Sequence, residues 1–187
     1  MNDDANRGPG QPTHEAFWTS DLFSRGLGTV ILARYKSGGR RVESGVFLVD
    51  VFCLGAKNAM YSIFERADYE ARILDHYRSK FQMDAVEPCC ARKLVEQAVQ
   101  YAQALGIAPH PDYKKAARVF GGLEAGQCAK KFTFGDEGKP HYIRGPGETE
   151  AQARLILRQL ELRCGPGKFN FTIPLGDAED ITRSFEG

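Results

Sequence analysis

The stretch from Gly28 to Cys53, GTVILARYK, SGG, RRVESGVFLVDVFC, constrains the fold of this chain more than any other. Two runs rich in β-branched and apolar residues flank Ser37-Gly38-Gly39, and glycine accepts a positive φ at little cost in a tight turn. The pattern predicts a β-hairpin. Its return strand, Arg40 to Cys53, is polar at first and then apolar on both faces from Val46 to Phe52, which predicts a strand covered on both sides. Strand parity places Phe47, Val49 and Val51 on one face and Val46, Leu48, Asp50 and Phe52 on the other. Asp50 therefore points into a layer. A carboxylate there needs hydrogen bonds, a cation or a shifted pKa. Lys57 is the nearest candidate cation.

Apolar spacing organises the rest of the chain. Phe17, Trp18, Leu22 and Phe23 predict a turn or two of helix. Met60, Ile63, Phe64, Ala67, Ala71, Leu74 and Phe81 recur helically from Asn58 to Gln82, with a break near Asp68. A second helix starts at Pro88 and stops before Gly106, its inner face being Leu94, Val95, Ala98, Ala102 and Leu105. A third starts at His110 or Pro111, buries Tyr113, Ala116, Ala117 and Phe120, and ends at Gly121-Gly122. Lys130 to Phe134 and Lys139 to Ile143, joined by Gly135 to Gly138, predict a second hairpin. Glu148 to Arg163 predicts a helix with Leu155, Ile156, Leu160 and Leu162 in register, and Lys168 to Ile173 a late strand. The expected class is α+β: two β-hairpins and a terminal strand in a mostly antiparallel sheet packed by four to five helices. Residues 1–15 are expected to be a disordered arm, 16–174 a single domain and 175–187 a loose acidic tail.

Charge and cysteine usage limit the function classes. Lys plus Arg is 25 and Asp plus Glu is 24, a balance unlike the strongly basic footprint of a surface built for phosphate backbones. A local patch for another protein or a nucleic acid remains compatible with it. No run approaches the roughly 20 apolar residues of a membrane span, and the start of the chain lacks a signal-peptide pattern. The five cysteines, Cys53, Cys89, Cys90, Cys128 and Cys164, are odd in number and none is spaced as CxxC. That predicts reduced thiols, no disulfide and a cytoplasmic protein that avoids membranes.

In FLVDVFCLGAKN (Phe47 to Asn58), GIAPHPDY (Gly106 to Tyr113) and FGDEGKPHYIRGP (Phe134 to Pro146), and in their order, the chain resembles a set of bacterial proteins labelled hypothetical. The resemblance implies that the three segments form one structural or functional unit. It names no reaction.

Candidate chemistry is concentrated in the same segments. Cys53, His110 and Asp112, with Asp50, have the residue types of a thiol hydrolase or transferase: nucleophile, base and orienting carboxylate. Against it, Cys often packs as a small hydrophobe, and His110 between two prolines suits a helix start. A metal set drawn from Asp50, Cys53, His110, Cys128 and His141 lacks close ligand pairs, so no metal and no cofactor is expected. A nuclease-like site at Asp50 would need partners such as Glu65, Asp68, Glu87 or Asp112, which no spacing selects. Lys139, Arg144, Gly145 and Gly147, before a helix at Glu148, suggest an anion pocket, although Glu148 and Glu150 would repel an anion there. Cys89-Cys90, in a first helical turn, suggests oxidation sensitivity. The expectation is a non-catalytic binding or accessory protein. The alternative is an enzyme using Cys53 with His110 and Asp112, or a metal-dependent nuclease-like site around Asp50.

Overall fold

The computed structural model describes residues 13–173; residues 1–12 of the expected arm and the whole expected tail, 175–187, lie outside them. The predicted hairpin is formed by β2 (Leu27–Lys36) and β3 (Arg41–Asp50), paired from Leu27↔Asp50 to Lys36↔Arg41. Gly38 and Gly39 take φ of 66° and 89° in the turn, which a Cβ would resist. β4 (Gly55–Glu65) pairs with the other edge of β3, and β1 (His14–Thr19) lies between β2 and β5 (Met83–Val86). The sheet order is β4-β3-β2-β1-β5, antiparallel throughout.

The α+β class is as expected, with a mostly antiparallel sheet. Three segments differ from expectation. His14 to Thr19 is a strand where an arm and the start of a helix were expected, and the expected helix is the single turn α1 (Leu22–Arg25). Ala16 and Trp18 enter the core on one face while Phe17 packs on the other, and neighbours on both sides satisfy its backbone. Residues 55–65 are a strand because the free edge of β3 offers a full ladder, which outweighs a helical spacing of apolar residues. Helix begins only at α2 (Arg66–Tyr69), continues through a π-helical stretch (Glu70–Asp75), and ends in α3 (His76–Arg78). The hairpin expected at residues 130–143 does not form. Beyond one isolated bridge, Asp136↔Lys139, that segment bonds to the β3–β4 corner, Gly135 N to Val51 O (2.9 Å) and His141 N to Phe52 O (3.1 Å). β6 (His141–Ile143) pairs instead in parallel with β7 (Asn170–Thr172).

Both sheet faces are covered. Val30, Leu32, Phe47 and Val49 pack against Leu94, Val95 and Ala98 of α4 (Pro88–Ala104). Ile31, Ala33, Val42 and Val46 meet Tyr69, Ile73 and Leu74 on the opposite face. A third cluster sits at the β3–β4 corner: Cys53 and Leu54 against Leu105, Tyr142 and, from α6 (Glu150–Cys164), Ala153, Leu157 and Leu160. Each such buried leucine is worth about 1.5–3 kcal/mol. On α6 Leu160 and Ile156 pack inward as expected, joined by Ala153 and Leu157, whereas Leu155 and Leu162 are 68% and 72% exposed.

The expectation of no disulfide is overturned. Cys90 is bonded to Cys128, leaving Cys53, Cys89 and Cys164 free. The spacing gave no signal because the partners come from separate elements, the first turn of α4 and the end of a 3-10 turn at Ala125–Gln127. They meet because that segment lies along α4. Arg92 donates to Leu123 O, and Lys93 Nζ donates to Cys128 O (2.8 Å) and Lys130 O (2.7 Å).

Candidate functional site

The site grows from the corner where β3 turns into β4. Asp50 is 5% exposed. Its Oδ1 accepts from Phe52 N (2.9 Å) and Cys53 N (2.8 Å), so the side chain closes the turn. Burial pushes its carboxyl up to about 6, against the turn amides and the Lys57 charge, which pull it down. Gly55, at φ 66°, completes the corner; a Cβ there would lie 2.7 Å from Ala98 O of α4.

One residue further on the ladder slips. Leu48 pairs with Asn58 and Val49 with Ala56, so Lys57 is the extra residue of a β-bulge. A bulge re-aims a side chain. Here Lys57 Nζ reaches Glu148 Oε1 at 2.6 Å, both side chains being under one-fifth exposed. Glu148 Oε2 accepts from Tyr142 Oη at 2.5 Å, and its carbonyl accepts from the Arg144 guanidinium (2.9 and 3.1 Å). Burial and the Glu148 carboxylate both push the Tyr142 phenol upward, so it stays a donor.

Lys57 borders two clefts. The first, about 400 Å³, is walled by Leu54, Ile107, Pro109, Leu155 and Ile156, with Lys57, His110, Glu148 and Gln152 as its polar groups. The second, about 350 Å³, is lined by Asp50, Phe52, Lys57, Arg144 and Gly145 with Arg25 at its edge.

The expected site residues fall on both sides of this seam. The loop Pro109 to Asp112, which leads into α5 (Tyr113–Ala116), docks on β4, His110 N donating to Ala56 O at 2.9 Å. The His110 ring accepts from Asp112 N (3.2 Å) and lies 4.0 Å from its carboxylate. Cys53 is 0% exposed in the apolar corner cluster, and burial followed by the Asp50 charge drives its thiol well above the ordinary range. A thiolate nucleophile needs the opposite. A two-metal site gains no support either: Asp50 shares its cleft with Arg25, Lys57 and Arg144, not with a second carboxylate.

The anion pocket is not assembled as expected. α6 starts at Glu150, and Thr149 with Gln152 forms a capping box that satisfies the first amides. Arg144 and Gly145 line the second cleft, whereas Lys139 and Gly147 are exposed and line neither cleft.

Glu148 and Tyr142 were not singled out as site residues by sequence reasoning, because only the fold brings them to Lys57. A further arrangement was also missed. His141 Nδ1 lies 2.9 Å from Asp136 Oδ2 and Nε2 2.9 Å from Thr172 Oγ1, with the ring stacked on Phe52. The order carboxylate, imidazole, hydroxyl is that of a catalytic relay, but Thr172 lines neither cleft, and the bonds tie β6 to β7. No family model, curated protein or solved structure matches the chain. No helix among the described residues is long and apolar enough to cross a membrane.

Proposed function

We propose that the chain is a non-catalytic binding protein, and that its ligand site is the cleft of about 400 Å³ between the β3–β4 corner, the Pro109–Asp112 loop and α6. One observation carries the reading: a concave, mostly apolar wall holds a single desolvated ion pair, Lys57–Glu148, with His110 beside it. Small-molecule sites have this size and this economy of polar groups. The matching ligand is a small molecule with an apolar body and one polar group that hydrogen-bonds to the pair.

The test is a heteronuclear NMR screen of small aryl and alkyl carboxylates, amides and amines against the full chain. The expected result is saturable perturbation of the Ile107, Leu155 and Ile156 methyl signals, lost in Leu155→Arg and weakened in Lys57→Met. Perturbation that survives Leu155→Arg unchanged, or none from any compound, rejects the cleft as the site.

A second reading is favoured by Asp50 alone. A carboxyl titrating near 6 in a cleft is poised for proton transfer. It predicts an activity that Asp50→Asn abolishes while ligand binding at the first cleft persists. An activity indifferent to Asp50→Asn excludes it.

A further inference from the structure

We propose that Glu87, Cys89, Cys90 and Cys128 form a zinc site in the reduced protein, and that the Cys90–Cys128 disulfide is the oxidised, metal-free form of that site. The cluster lies at the start of α4, and none of its residues lines the clefts described above.

Three of the ligand atoms are already gathered. A Glu87 carboxylate oxygen, Cys89 Sγ and Cys90 Sγ lie within 4.8 Å of one another. The Glu87 Oε2 is 3.9 Å from Cys89 Sγ and 3.5 Å from Cys90 Sγ. Cys128 Sγ is bonded to Cys90 Sγ and supplies the fourth donor. Three thiolates and a carboxylate are a ligand set for tetrahedral zinc, in which Zn–S bonds of about 2.3 Å set sulfurs roughly 3.8 Å apart. Closing that arrangement requires the Cys90 and Cys128 sulfurs to separate and Cys128 Sγ to join the group that the other three donors already form.

The scaffold outlasts the disulfide. Lys93 holds the carbonyls of Cys128 and Lys130, Cys128 N donates to Ala125 O (3.2 Å), and Arg92 holds the carbonyl of Leu123. Cys128 therefore stays beside Cys90 when the S–S bond is cut. A zinc ion with three thiolates and a carboxylate carries a net double negative charge, which the positive end of the 17-residue α4 and the Lys93 ammonium offset. Cys90 and Cys128 are at most 3% exposed, whereas Cys89 is partly exposed and Glu87 lies at the surface, so the cluster has a buried side and a side open to an entering ion.

The chemistry balances. A dithiol reductant gives two electrons and two protons to the Cys90–Cys128 bond, becoming a disulfide itself and leaving two protein thiols. Zinc then displaces the protons of Cys89, Cys90 and Cys128 to solvent as it binds.

The experiment uses the full chain, reduced with a dithiol, desalted without oxygen, and titrated with cobalt(II) and then zinc(II). Expected are one cobalt ion per chain, with the intense visible bands and near-ultraviolet thiolate charge transfer of a tetrahedral sulfur-rich site, and bleaching of both by zinc. The oxidised chain should show neither. Cys89→Ser and Glu87→Gln leave Cys90 and Cys128 in place, and circular dichroism of the reduced variants checks that they are folded; each should weaken zinc binding by about tenfold or more. Cys53→Ala and Cys164→Ser should leave it unchanged. Failure of the reduced, folded chain to bind cobalt, an octahedral spectrum, or Cys89→Ser binding as tightly as the parent would overturn the proposal.

Discussion

Lys57 and Glu148 meet at 2.6 Å across the junction between the large sheet and the C-terminal helix, each less than one-fifth exposed. The pair is not a surface decoration. The β-bulge turns Lys57 toward it, and Tyr142 and Arg144 hold Glu148 from the other side. Removing one partner leaves a largely desolvated charge, so Lys57→Met and Glu148→Gln should each destabilise by about 1–3 kcal/mol. The double variant should lose clearly less than the sum. Urea unfolding of the four-member cycle measures this, and simple additivity would mean that the two groups do not interact.

Asp50 should make stability fall as pH rises through the mildly acidic range. Its carboxyl titrates at about 6 when folded and at 3.8 when not. Between those values the folded state keeps a proton that the unfolded chain has released, so raising pH favours unfolding. The loss is on the order of 2–3 kcal/mol across that window and constant above it. Asp50→Asn keeps an acceptor for the Phe52 and Cys53 amides and removes the titration. The variant should gain on the parent from about pH 4 to about pH 6; parallel stability curves would show that burial of Asp50 does not shift its pKa.

Thiol titration of the denatured, unreduced chain should find three thiols, Cys53, Cys89 and Cys164, and five after reduction. The bond closes a 38-residue separation, for which chain entropy in the unfolded state predicts about 4 kcal/mol of stabilisation. Reduction in the presence of a chelator should therefore lower the urea midpoint without abolishing cooperative unfolding. Recovery of all five thiols before reduction would refute the bond.

The two faces of α6 should respond differently. Leu160 is fully buried, and Leu160→Ala should cost about 2–5 kcal/mol. Leu155 is 68% exposed, and Leu155→Ser should change stability by about 0.5 kcal/mol or less. If the first cleft binds a ligand, Leu155→Ser should nonetheless weaken binding. Equal destabilisation by both changes would place α6 in another rotation.

Local chemistry made part of this legible. The β2–β3 hairpin, the span and inner face of α4, the short helix after His110 and the burial of Asp50 all follow from turn glycines, Pro88, Gly106 and strand parity. What sequence could not supply was decided at a distance. Residues 55–65 carry a helical spacing but meet the open edge of β3, and the ladder wins. In the sequence Glu148 stands only as a charge that would repel an anion; the bulge at Lys57 makes it an ion-pair partner. The bulge itself has no local mark: it exists only as a slip between two strands. The Cys90–Cys128 bond was hidden for the same reason, since its partners approach only when the chain after Phe120 is laid along α4.

The place of β1 in the sheet bears on how the protein is made. This strand precedes all the other described elements, yet it is interior, flanked by β2 and β5. It can pair with β2 as soon as that strand emerges, but its other edge must wait until β3, β4 and the helical stretch have been synthesised. During translation that edge is exposed beside Phe17 and Trp18, an open template for another nascent copy. The arrival of β5, a strand of only four residues, closes it. Clipping back from the N-terminus into β1 would remove the one strand among the described residues that pairs with β5, so the sheet would lose both together.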